Sequence, residues 1–201
     1  MIIVIEGPDG VGKTSVCHEL ARIFTERSLT NTILRCPGST KLGEFLRGPL
    51  KDPTFELSPV EKTLLFMAAD ESAHRLAEKM SSEGIMVIMD RCAVSNAIYR
   101  TAQGEHQEAQ LIRNCFDDGF VSRTPNGAFL IPLDAPDAEL QKRISGRSNE
   151  KPDRFDGLQL RVAQLYREEF PIRLDTTDMT AQAVAARVYK MAVGRGWGER
   201  S

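Results

Sequence analysis

The segment GPDGVGKTS, residues 7–15, follows the apolar run MIIVIE. Gly7, Gly12, Lys13 and Thr14 fit the spacing G-x-x-x-x-G-K-[ST], between a predicted strand and a predicted helix, the context this spacing needs. Small residues let backbone N–H groups turn inward around phosphates. The start of the following helix adds partial positive charge. Lys13 brings a full charge to the β- and γ-phosphates, and Thr14 brings a hydroxyl to Mg²⁺. Asp9 is the odd resident, a carboxylate in a loop built to hold anions. Further along, the run IMVIMD ends in Asp90-Arg91. A guanidinium there suits gripping another phosphate better than activating water.

Strands and helices must carry these groups. The β-branched run at 2–5 reads as a buried parallel strand, and TSVCHELARIFTERS as a helix with an apolar stripe of Val16, Leu20, Ile23 and Phe24. Further strands are expected at 32–35, 85–90, 128–136 and 172–175, with Pro132 an unfavourable residue inside the fourth. KLGEFLRGPLKD is expected to be a short helix that breaks at Gly48 and Pro49. A long helix is expected over 58–82, with Pro59 in its first turn and Gly84 closing it. Helical material is also expected within 94–121, 137–144, 157–170 and 180–193, and 146–156 is a polar loop. The alternation predicts an α/β fold with a parallel sheet covered on both faces.

Composition narrows the classes. The 201 residues suit one domain, and the formal net charge of −2 with no block of like charge argues against a nucleic-acid binder working by bulk electrostatics. Cys17, Cys36, Cys92 and Cys115 lie far apart, with no C-x-x-C pair, so neither zinc nor disulfides are expected. No apolar run is long enough to span a bilayer, and the expected compartment is the cytoplasm. A regulatory GTPase would read guanine with N-K-x-D; the nearest string, NEKPD at 149–153, carries one residue too many and lies in a polar loop.

The combination resembles the thymidylate kinase family of P-loop nucleoside monophosphate kinases, over almost the whole chain. The resemblance rests on Glu6-Gly7-Pro8-Asp9-Gly10-Val11-Gly12-Lys13-Thr14, on RCPGST (35–40) with Gly43-Glu44 and Arg47, and on Leu64-Leu65-Phe66. It continues through Asp90-Arg91-Cys92 with Ser95-Asn96 and Tyr99, and through Arg143, Arg147 and DRFD (153–156). It implies a single three-layer α/β/α P-loop NTPase domain over 1–201, with a parallel five-stranded sheet and a basic lid at about 143–156. The implied reaction passes the γ-phosphoryl of ATP·Mg to a deoxynucleoside 5′-monophosphate, with dTMP the leading substrate. A homodimer is also implied.

The resemblance also implies roles. Gly7, Asp9, Gly10, Val11, Gly12, Lys13, Thr14 and Ser15 would hold ATP. Arg91 and Arg47 would hold the acceptor phosphate, and Arg143, Arg147 and Arg154 would close from the lid. Asp90 would bind Mg²⁺ through water or orient Arg91, and Asp9 would face the acceptor near the sugar 3′-hydroxyl or the metal. Phe66 would stack on the base, Asn96 would bond its edge, and Tyr99 would pack beneath the deoxyribose. Three positions depart from the pattern. Cys36 stands for a glutamate, Arg100 for a frequent glutamine, and Asp70 for the arginine that reaches thymine O4. An arginine donates where a carboxylate accepts. Either Arg100 restores the donor, paired with Asp70, or the pocket prefers a base bearing an amino group, or Asp70 and Glu71 are surface charges.

Overall fold

The run IIVIE forms β1 (Ile2–Glu6), and every residue of it is buried. Its continuous apolar sequence is what a strand with parallel neighbours on both sides and helices on both faces requires. The computed structural model describes residues 1–52, 54–116, 128–146 and 157–194. After β1 come α1 (Lys13–Glu26), β2 (Asn31–Arg35), α2 (Lys41–Lys51), α3 (Pro59–Ser82), β3 (Met86–Asp90), α4 (Ala93–Ala102) and α5 (His106–Phe116). Then follow β4 (Ala128–Asp134), α6 (Asp137–Ser145), α7 (Gly157–Glu169), β5 (Leu174–Asp175) and α8 (Ala181–Val193). Among the described residues, no helix is long and apolar enough to cross a membrane.

All strand pairs are parallel, in the order β2-β3-β1-β4-β5. Alternate residues of β1 feed two cores. Ile3 and Ile5 pack with Val16, Leu20 and Phe24 of α1 and Val184 and Val188 of α8. Ile2 and Val4 pack on the other face with Ala73 and Ala77 of α3. This is the expected α/β/α layering. The register Ile5↔Asp90 sets the ends of β1 and β3 side by side. Ligands of open parallel sheets bind beyond the carboxyl ends of strands, where the order reverses.

Three local expectations need amending. The helix at 41–52 does not break at Gly48 and Pro49 but continues to Lys51. Pro49 falls in its last turn, where a missing N–H removes a single bond, and Asp52 N still donates to Gly48 O at 2.9 Å. Pro132 is tolerated because its backbone faces the β5 side, as Asp134 O does in accepting from Thr176 N. Pairing with β5 starts only at Leu133, so no ladder bond is lost. The fifth strand is shorter than 172–175, covering Leu174–Asp175, and Ile172 is 86% exposed.

Candidate active site

The loop from Gly7 to Gly12 joins β1 to α1. Gly7 has φ +140°, and a Cβ there would lie 2.5 Å from the Leu133 carbonyl oxygen, so no side chain fits between the loop and β4. Lys13 folds back to donate from Nζ to Gly7 O at 2.9 Å and Pro8 O at 2.7 Å. Burial first, and then the Arg91 charge, pull its pKa down to about 7. Thr14 Oγ1 donates to Asp90 Oδ2 at 2.6 Å.

A cavity of about 90 Å³ opens here, lined by Asp9, Gly10, Gly12, Lys13, Thr14, Ser15, Arg35, Asp90 and Arg91. Two residues expected to hold ATP, Gly7 and Val11, do not line it. Val11 is 1% exposed and packs in the core, though its carbonyl accepts from Thr176 Oγ1 at 3.4 Å.

A second cavity, of about 440 Å³, adjoins the first between α2, α3 and α4. All eight residues expected to contact the acceptor line it: Asp9, Arg47, Phe66, Asp70, Arg91, Asn96, Tyr99 and Arg100. They come from the phosphate loop, the residue after β3 and the helices α2, α3 and α4, and the fold gathers them. Asp9, Arg35 and Arg91 border both cavities. Asp9 therefore sits at the junction. Its carboxylate accepts from Arg91 Nη2 and from the Tyr99 hydroxyl at 3.0 Å, and lies 3.8 Å from Lys13 Nζ.

Arg91 is held from several sides. Its backbone is left-handed, at φ +77°, a strained state for any residue but glycine. Its Nη1 donates to Ser95 Oγ at 2.8 Å, and Ser95 Oγ donates in turn to Glu6 Oε2 at 2.6 Å. Glu6 is fully buried, and it also accepts from Cys92 N at 2.8 Å and the Tyr166 hydroxyl at 2.7 Å. The end of β1 thus fixes the start of α4, with α7 as a third anchor. Arg47, on α2, donates to Pro37 O at 2.8 Å.

Asp70 is 2% exposed, so it is no surface charge. Burial raises its pKa to about 8; the Asn96 side chain works against this and Glu6 with it. Arg100 pairs with Glu105, Nη1 to Oε2 at 2.5 Å, and not with Asp70. Arg143 lines neither cavity. It donates to Glu139, to Thr176 Oγ1 and O at 3.0 and 2.9 Å, and to Thr177 O at 3.1 Å, tying α6 to the segment after β5. Arg147 and Arg154, with most of the expected lid, lie outside the described residues.

Sequence reasoning left Arg35 out of the site. It ends β2 and opens the RCPGST segment, but that motif was read with no role for its arginine. It also missed Tyr166 and Gln159 of α7, which reach Glu6 and the Tyr99 hydroxyl respectively. No local pattern announces a contact between residues 6 and 166.

A parallel sheet with a phosphate-binding loop at its carboxyl edge, opening onto a second, arginine-bearing cavity, defines a P-loop nucleotide-binding fold with room for a second ligand. The sequence model of the thymidylate kinase family matches residues 5–186. A thymidylate kinase of Chlamydia trachomatis serovar D is 33% identical over 149 residues, covering 71% of this chain and 71% of that protein. One from Carboxydothermus hydrogenoformans is 32% identical over 171 residues, covering 84% and 81%. The solved thymidylate kinase of Candida albicans shares the fold, with a TM-score of 0.74 over 97% of this chain and 92% of that one, at 19% identity. The chain belongs to the thymidylate kinase family, whose members are nucleoside monophosphate kinases.

Proposed function

We propose that the chain transfers the γ-phosphoryl group of ATP to the 5′-phosphate of dTMP, giving ADP and dTDP. The observation that carries this reading is the pair of adjoining cavities sharing Asp9, Arg35 and Arg91. Two anions must meet in such a reaction, so cations and fixed donors should crowd the junction.

Lys13 and the amides of Gly10 and Gly12 bind the triphosphate. Arg91 and Arg47 receive the acceptor phosphate, Phe66 stacks on the base, and the Tyr99 ring packs against the sugar. Asp9 keeps Arg91 and Tyr99 in place and offers an acceptor to the sugar hydroxyl. The Thr14 hydroxyl and the Asp90 carboxylate are hard oxygen donors 2.6 Å apart at the loop, a set that fits Mg²⁺, which keeps several waters and needs few protein ligands. Bound there with ATP, the ion would offset negative charge on the phosphates. Arg147 is assigned to closing over the transferring group, and Arg143 to anchoring the root of the lid. A homodimer goes with this reading. Its support is the exposed Phe45, Val60 and Leu64 on α2 and α3, and sedimentation at twice the chain mass checks it.

ADP release coupled to a spectroscopic readout, run with dTMP, dUMP, dCMP, dGMP and dAMP, tests the function. Saturable turnover with dTMP is expected. ATP binding without turnover of any monophosphate would overturn the kinase, and turnover of dGMP or dCMP without dTMP would overturn the substrate.

A further inference from the structure

Among the described residues, Tyr166 of α7 is the largest side chain to be fully buried. Packing fixes its ring, which clusters with Val162 of the same helix and Ile98 of α4 and stacks on Phe170 with ring centres 6.2 Å apart. One hydroxyl is left inside this core. It donates to Glu6 Oε2 at 2.7 Å and lies 2.8 Å from Ser95 Oγ. Ser95 Oγ donates to the same Glu6 oxygen at 2.6 Å, and Cys92 N donates to Glu6 Oε1 at 2.8 Å. Both carboxylate oxygens are therefore occupied. The Arg91 guanidinium sits just outside this cluster, with Nη1 on Ser95 Oγ at 2.8 Å and Nη2 on Asp9. A single serine oxygen thus stands between a buried carboxylate and the cation that borders both cavities.

We propose that Tyr166 is a positioning residue for Arg91. Its hydroxyl satisfies Glu6 and so keeps that charge from drawing the guanidinium inward, away from the acceptor phosphate. This rests on the reading of Arg91 as a ligand of that phosphate. Tyr166 lines neither cavity and acts only through Glu6 and Ser95. A buried carboxylate short of a donor is costly, and the nearest cation is the group that relieves it. Without the Tyr166 hydroxyl that cation is Arg91, one serine away. Ser95 has a single proton, already given to Glu6, and cannot fill the vacant place. Part of the phosphate grip is thereby set by a helix that does not reach the phosphate.

The test measures calorimetric binding of dTMP and of thymidine to the free enzyme, with KM for dTMP, in the wild type, Tyr166→Phe, Glu6→Gln and the double variant. Phenylalanine keeps the packed ring and removes only the hydroxyl. Tyr166→Phe should weaken dTMP about 10-fold in Kd and KM and leave thymidine within about 2-fold, because thymidine offers Arg91 no phosphate. A merely structural role would weaken both ligands alike. Glu6→Gln removes the charge that the hydroxyl satisfies, so adding Tyr166→Phe to it should change dTMP binding by no more than about 2-fold. If Tyr166→Phe does not fold alone, the double variant, which has no buried charge left short of a donor, is compared with Glu6→Gln in its place. Equal losses of dTMP and thymidine in Tyr166→Phe, or a further loss of about 10-fold in the double variant, overturns the proposal. A wild type that binds neither ligand overturns the acceptor site itself, and this role with it.

Discussion

Lys13 is a cation buried among backbone carbonyls with Arg91 nearby, and its pKa falls from 10.5 to about 7. Between those values the unfolded chain holds a proton that the folded chain does not. On this group's account, stability therefore rises as pH climbs from about 7 to 10.5. Phosphate oxygens beside Nζ reverse the balance, because an opposite charge favours the protonated amine. ATP binding near pH 8 should then take up a proton. Calorimetry in buffers of different ionisation heat reads this directly, and Lys13→Met should abolish it along with most of the affinity. Binding with no proton exchange at pH 8 would contradict the environment described for Lys13.

The elements explain how the site residues are presented, and α3 does so with Phe66 and Asp70 on one face. It begins at a capping box: Ser58 accepts from Glu61 N at 3.2 Å, while Ser58 N donates to Glu61 Oε2 at 2.8 Å. Ser58→Ala should cost about 1 kcal/mol in chemical denaturation, with kcat unchanged because the cap touches neither cavity. Although the cap itself was not read, the start of α3 was legible in Pro59, since a proline in the first turn is a short-range pattern. So was the phosphate loop, where spacing alone fixes the chemistry. The passage of α2 through Pro49 was not legible, because the cost of a proline depends on which turn it occupies. The shortness of β5 depends on how far β4 extends beside it, which its own sequence does not say.

At the scale of the whole molecule, Glu6 joins elements remote in sequence. It ends the central strand and accepts from Cys92 N and Ser95 of α4 and from Tyr166 of α7. A buried network of this kind stabilises only while every member is paired. Glu6→Ala should cost about 2–4 kcal/mol, and should also lower kcat because Arg91 loses its fixed support through Ser95. Thermal melting and steady-state kinetics on the same sample separate the two effects. In the sequence Glu6 was only the first residue of the phosphate-loop pattern, and its partners could not be read there. The same holds for Arg35, which becomes part of the site only when β2 lies beside β3.

The central claim is that the two cavities are halves of one path for a phosphoryl group, joined at Asp9, Arg35 and Arg91. A single molecule carrying adenosine and thymidine joined 5′ to 5′ through a polyphosphate chain would span both. Measured as an inhibitor of ADP release, it should compete with ATP and with dTMP alike and bind tighter than either. Competition with only one of the two would contradict a shared path.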